Sequence, residues 1–159
     1  MNDQKVIGIS DMAVVKETGS IITYALGSCI GLALYDKLTR TAGLAHIMLP
    51  AISEVQGATN KMKFADTAVD ELIGRMTAVG ALRANLVAKM AGGAQMFNVQ
   101  SEKMMIGQRN IAAVKHELTR FGIRLVAEDT GLNYGRTVIL DAADGVFTVR
   151  AINKPLRQL

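Results

Sequence analysis

Apolar positions along this chain change their period once, near residue 64, and that change sorts the expected elements into two groups. Ahead of it, short apolar or β-branched runs at 6–9, 12–16, 21–25, 30–35 and 43–49 are set apart by Ser10-Asp11, Gly19, Gly27-Ser28 and the polar stretch 36–41. Runs of this length and bounding predict strands. Pro50 closes the fifth run, and 51–60, which has no period, predicts a loop. Phe64, Ala65, Ala68, Val69, Leu72, Ile73 and Met76 then recur at three- and four-residue spacing. That is the period of an amphipathic helix, with Asn60 ahead as a cap and Gly80 as a stop. A strand at 86–90 leads into Ala91-Gly-Gly-Ala94, and a second helix over 109–120 carries Ile111, Val114, Leu118 and Phe121 on one face. A strand at 123–127 follows, and runs at 137–140 and 146–150 flank Asp141-Ala-Ala-Asp-Gly145 as a hairpin. Residues 152–159, with Pro155, read as a C-terminal tail.

Strands first and two main helices afterwards predict an α+β class, a layered domain with mixed β-sheets, not a doubly wound parallel fold. The 159 residues, free of repeats and low-complexity linkers, suit a single domain over 1–159. Half the residues are hydrophobic and 20% are charged, so a real core can form, but with no Trp and 4% aromatics it must rest on aliphatic residues and nine Met. Few aromatics also argue against platforms that stack single-stranded nucleic acid. The net charge of +4 is spread along the chain, a mild bias toward acidic partners and not a nucleic-acid footprint.

The start, Met-Asn-Asp-Gln-Lys, lacks the basic and apolar regions of an export signal, and one cysteine suits a reducing compartment, so a cytoplasmic location is expected. The uncharged stretch 18–35 is long enough to span a membrane, but its glycines and hydroxyls split it at Gly27-Ser28 into two strand-length pieces. No membrane insertion is expected.

Chemistry narrows to few residues. Cys29, the sole cysteine, follows Gly27-Ser28, where the backbone can turn sharply and leave N–H groups free for an oxyanion. It is either a nucleophile or a small buried apolar residue. Of two histidines, His116 falls on the solvent side of the second helix; His46, in the run 43–49, is either a satisfied half-buried strand residue or, if Cys29 has a base, the one available for it. Cys29 starts one strand and His46 lies near the end of the next, so antiparallel pairing would bring them together. Thr23 could hold the imidazole through its hydroxyl, or be an ordinary β-branched strand residue.

Other signatures fail. Leu26 and Ile30 replace the glycines of a Gly-x-Ser-x-Gly elbow, and Ala91-Gly-Gly-Ala94 lacks the Gly-Lys-Ser/Thr of a phosphate loop. No Cys/His cluster suits zinc, and neither metal nor cofactor is expected. Asp129-Thr130-Gly131 matches the aspartic-protease triplet, which would need a second carboxylate from another copy; a strand end turning at Gly131 is the simpler reading. Met96-Phe97 reads as core, or as an exposed apolar pair that docks a helix.

Six ordered motifs carry a family resemblance. They are Thr23-x5-Cys29 within Leu26-Gly-Ser-Cys29, Ala45-His46-x-Met48-Leu49-Pro50, Lys63-Phe64-Ala65-Asp66-Thr67-Ala68, Ala91-Gly-Gly-Ala-x-Met96-Phe97, Ile106-Gly-x-Arg109-Asn110, and Ala127-Glu-Asp-Thr-Gly131 with Gly135-Arg136. Together they resemble CheD, the chemoreceptor glutamine deamidases, from about residue 5 to about 150. The resemblance implies hydrolysis of glutamine side chains on methyl-accepting chemotaxis receptors to glutamate and ammonia. It places the catalytic Cys, His and Thr on Cys29, His46 and Thr23, with backbone support around Gly27 and Ser28. It further implies a layered sandwich like the cytotoxic necrotizing factor deamidases, and a CheC-type phosphatase as a partner. Against it stand two other classes: a non-catalytic adaptor regulating such a phosphatase, and another cysteine acyl-transfer enzyme. One departure is visible: family members often carry a second Gly after Asp-Thr-Gly, where this chain has Leu132.

Overall fold

The structure, a computed structural model, describes residues 3–97 and 105–159. Its strands are β1 (Gln4–Val6), β2 (Met12–Lys16), β3 (Ser20–Leu26), β4 (Ile30–Asp36), β5 (Thr41–Ile47), β6 (Leu86–Gly92), β7 (Arg124–Thr130), β8 (Arg136–Asp141), β9 (Phe147–Arg150) and β10 (Arg157–Gln158). Its helices are α1 (Ala65–Ala78) and α2 (Ile106–Arg120). They form an α+β fold with two five-stranded mixed sheets, ordered β1-β3-β8-β9-β10 and β2-β5-β4-β6-β7.

Two apolar layers hold it together. Ile21, Leu26, Ala33, Leu44, Val138 and Phe147 pack between the sheets. Ile30, Leu32, Ile47, Leu72, Met76 and Val114 pack between the second sheet and the helices. β4 and β5 lie in the middle layer and are buried at every position, which explains their continuous apolar runs. Alternation assigns their faces: Gly31, Ala33 and Tyr35 look toward the first sheet, as do Ala42, Leu44 and His46, while Ile30, Leu32 and Ile47 look toward the helices.

Most expected runs hold their places, with informative shifts. β3 and β4 follow one another in sequence but lie in opposite sheets, so the chain crosses the sandwich at Gly27-Ser28-Cys29. The first strand is Gln4–Val6, not 6–9, and pairs parallel to β3, a non-local pairing that period alone does not place. Asn60 does not cap α1: Phe64 holds that position without a side-chain bond, and Asn60 Oδ1 instead accepts from the Met62 N–H at 3.0 Å. The residues expected as a tail include β10, which pairs with β9 and closes the edge of the first sheet. The 137–140 and 146–150 runs form the expected antiparallel hairpin.

β3 contains a bulge. Thr23 pairs with Val138 and Leu26 with Arg136, so three steps on β3 match two on β8. The extra residue shifts the alternation, with Ala25 at φ 59° and Tyr24 exposed. Thr23 and Leu26 therefore both face the interior, three positions apart.

Candidate active site

The crossover and the end of β5 bring the predicted residues to one end of the sandwich. β4 pairs antiparallel to β5 with Ile30 opposite Ile47 and Gly31 opposite His46. Cys29, one residue ahead of β4, therefore lies diagonally across from His46, as the strand order predicts, and Gly31 puts no side chain between them. Cys29 is half-buried and packs against the inter-sheet layer.

His46 is fully buried, and its Nδ1 lies 2.7 Å from Thr23 Oγ1, a bond that joins the two sheets. Thr23 Oγ1 also donates its only proton to the Ile7 carbonyl at 3.0 Å. The hydroxyl must then accept from His46, which places the imidazole proton on Nδ1 and leaves Nε2 as a bare lone pair. Nε2 has no hydrogen-bond partner among the described residues. So the structure joins His46 to Thr23, but no hydrogen bond closes the resting gap to Cys29.

Burial sets the charge state of both groups. It lowers the His46 pKa from the usual 6.5 to about 4 and raises that of the Cys29 thiol. At neutral pH the pair is a neutral imidazole and a protonated thiol, and such a thiol can act as a nucleophile only where a base takes its proton.

The crossover backbone is held from one side. Ala94 N–H donates to Gly27 O at 2.9 Å and Gly93 N–H to Cys29 O at 2.9 Å. Gly92 makes this approach possible: at φ 107°, a Cβ there would stand 2.2 Å from Cys29 O. The Gly27 N–H is spent on Ala25 O at 3.0 Å, while the Ser28 and Cys29 N–H groups have no acceptor among the described residues.

Sequence reasoning missed one residue here. Asn110, on the buried face of α2, donates from Nδ2 to Ser28 O and to Met48 O, both at 2.9 Å. Its position four residues ahead of Val114 puts a buried amide on an apolar stripe, a signal readable from the helical period.

The remaining candidates separate cleanly. His116 is exposed, as expected. Asp129 is buried and pairs with Arg136 and Arg157, both at 3.0 Å, so the Asp-Thr-Gly triplet belongs to an ion-pair network. Met96 and Phe97 are exposed, which corrects the reading of that pair as core. Leu132 adopts φ 60°, a left-handed conformation natural to glycine. Among the described residues no group of three or more potential ligands could hold a metal ion, and no helix is long and apolar enough to cross a membrane.

Two hollows flank the crossover. One, of about 720 Å³, is lined by Tyr24, Ala25, Met96, Tyr134, Arg150 and Ile152 among others. The other, of about 240 Å³, is lined by Ser28, Ala94, Met96, Phe97, Ile106 and Gly107 among others.

Known proteins match this chain throughout these features. The family described as "CheD chemotactic sensory transduction" matches residues 48–151. The "Probable chemoreceptor glutamine deamidase CheD" of Clostridium botulinum is 50% identical over 153 residues, covering 95% of this chain and 94% of that protein. The protein of the same name from Moorella thermoacetica is 49% identical over 95% of this chain and 92% of its own length. That from Thermococcus kodakarensis is 47% identical over 92% of each. The order of motifs, the length and the matched sequence agree, and the chain belongs to the CheD family.

Proposed function

We propose that this chain is a protein-glutamine deamidase that converts glutamine side chains of chemoreceptors to glutamate and ammonia through a thioester on Cys29. The observation that carries the catalytic assignment is the setting of His46: Nδ1 lies 2.7 Å from Thr23 Oγ1, whose own proton goes to Ile7 O, and Nε2 is buried without a partner among the described residues. A neutral imidazole so arranged is a base waiting for a proton.

In the proposed reaction, glutamine Cδ arrives beside Cys29 and the resting gap to His46 closes as substrate fills the site. Nε2 takes the thiol proton as Sγ forms a bond to Cδ, and the carbonyl electron pair moves to oxygen. The Ser28 and Cys29 N–H groups, which have no acceptor among the described residues, receive that oxyanion; Gly27 supports the turn and not the charge. The intermediate collapses, the C–N bond breaks and His46 returns its proton to the departing ammonia. Water then loses a proton to Nε2, attacks the thioester and releases glutamate, and the proton returns to Sγ. Thr23 keeps the other proton on Nδ1 throughout, so that Nε2 alone takes and returns protons.

Arg150, with exposed Tyr24 and Ile152 along the larger hollow, supports docking of an acidic, partly apolar receptor helix. The exposed Met96 and Phe97 support a protein partner at the same rim, for which the family resemblance names a CheC-type phosphatase. Action in the cytoplasm, and kinship of the fold with cytotoxic necrotizing factor deamidases, complete the proposal.

Ammonia release from a glutamine-bearing receptor fragment tests it. Cys29→Ala and His46→Ala are each expected to lower kcat by about 10⁴-fold or more. Full activity in Cys29→Ala would sink the mechanism. A covalent amide product formed with an added primary amine would move the assignment to acyl transfer.

A further inference from the structure

The crossover carries three consecutive carbonyls, of Gly27, Ser28 and Cys29, and all three are hydrogen-bonded. Gly27 O and Cys29 O accept from the backbone of Ala94 and Gly93. Ser28 O accepts from a side chain, Asn110 Nδ2, 82 residues away in sequence. In a trans peptide the carbonyl and the following N–H point in opposite directions. Anchoring Ser28 O on α2 therefore turns the Cys29 N–H away from α2, and that N–H has no acceptor among the described residues.

Asn110 does a second thing with the same nitrogen. Its other Nδ2 proton goes to Met48 O, two residues past His46. One amide thus ties the segment bearing the thiol to the end of the strand bearing the base. The side chain is fully buried, and its Oδ1 has no partner among the described residues. A buried amide oxygen left unsatisfied costs stability, which Asn110 bears where an apolar residue would avoid it. The approach of α2 is itself specific: a Cβ at Gly107 would stand 2.4 Å from both Gly93 O and Ala94 O, so glycine in the first turn lets the helix reach the crossover.

We propose that Asn110 is a positioning residue for catalysis: it fixes the orientation of the Ser28–Cys29 peptide so that the Cys29 N–H is aimed at the oxyanion. The proposal rests on the thioester reading of Cys29. It makes a prediction that a merely structural role does not. Acylation of Cys29 by an amide develops an oxyanion, whereas alkylation by iodoacetamide is a direct displacement at carbon and develops none. Loss of the Asn110 anchor should slow the first and spare the second.

The test uses the full chain, a receptor fragment and the variants Asn110→Ala and Asn110→Asp. The aspartate is isosteric, but its ionised carboxylate only accepts, so it can hold neither carbonyl. Both variants are expected to lower kcat by about 10²–10³-fold, the usual loss for one oxyanion donor, with KM within a few-fold of the parent. Alkylation of Cys29 should stay within about three-fold, and thermal melting confirms that the variants compared are folded. The aspartate serves if the alanine variant does not fold. Retained kcat in a folded variant overturns the proposal, and so does a parallel fall in alkylation and deamidation. Ammonia release that survives Cys29→Ala overturns the thioester reading and the Asn110 role together. Release lost in Cys29→Ala but kept in the Asn110 variants overturns only the latter.

Discussion

The paired strands β4 and β5 bury a titratable side chain at each end, and the two ends treat it in opposite ways. At one end Asp36 is fully buried and saturated. Its Oδ1 accepts from the Leu38 and Thr39 N–H groups at 2.9 and 3.3 Å, and its Oδ2 from the Leu82 N–H and Asn85 Nδ2 at 2.9 and 3.4 Å. Burial alone would raise its pKa, but the N–H groups of Leu82, Thr39 and Leu38 outweigh it and the net shift is downward. At the other end His46 is equally buried, yet among the described residues only Nδ1 finds a partner, and nothing offsets the burial that pulls its pKa to about 4. One end spends a buried polar group on stability. The other leaves a lone pair unused among the described residues, at a cost to stability, which suits the base proposed for His46.

Acid unfolding sharpens this contrast most. The folded chain resists protonation of His46 while the unfolded chain takes up a proton below 6.5. Stability is therefore complete above that pH and falls as the pH drops toward 4, by about 3 kcal/mol over the window. Denaturant melts from pH 7 to 4 should show this slope in the parent and lose most of it in His46→Gln. Asp36, held below its usual 3.8, stabilises fully above that value and loses its contribution as the pH falls from there through its lower folded value. Asp36→Ala should cost about 3 kcal/mol at pH 7, by stripping a charged acceptor from several N–H groups, while kcat per folded molecule stays near that of the parent. An unchanged acid slope in His46→Gln would break the contrast.

Thr23→Val probes the half-satisfied end alone. The isosteric change leaves Nδ1 unpaired and frees the imidazole to place its proton on either nitrogen. A fall of about 10²-fold in kcat, with thermal stability changed far less than in Asp36→Ala, is the expected outcome. Equal losses in both properties would make Thr23 a structural residue.

The smallest effect is expected at Leu132. Its φ of 60° costs an L-residue about 1–2 kcal/mol, and Leu132→Gly relieves this while adding freedom to the unfolded chain. A net gain of up to about 1 kcal/mol in melts, with no change in kcat, is the expected result. A loss would mean that the exposed leucine side chain is worth more in packing than its backbone costs.

The sequence made some of this architecture legible and hid the rest for identifiable reasons. β4 and β5 were readable because burial on both faces leaves unbroken apolar runs, and α1 because its buried residues keep a 3.6 period. Cys29 and His46 emerged because the chain has one cysteine and only two histidines, one of them on a solvent face. The crossover between sheets was not readable, since β3 and β4 look like any consecutive strands until their partners β8 and β6 are known. Thr23 gained its hydrogen bond to His46 from packing across the sandwich. Asn110 stayed hidden because its partners lie 82 and 62 residues away. Asn60 failed as a cap because a side chain can serve its own turn instead of the helix beyond it.

The bulge in β3 makes chain length itself a constraint. Thr23 must reach across the sandwich, Leu26 must plug it, and Cys29 must emerge where β4 begins, so the count of residues between them acts as a spacer of fixed size. The side chains at 24 and 25 point outward and pack against no core, so the fold leaves their kind open: Tyr24 answers to its place along the hollow, and Ala25 is open to glycine or asparagine at its φ of 59°. Adding or removing one residue there would turn Thr23 or Leu26 to the wrong face. Across relatives this segment should therefore tolerate substitution and reject insertion, a pattern that a comparison of residue identities alone would mistake for indifference.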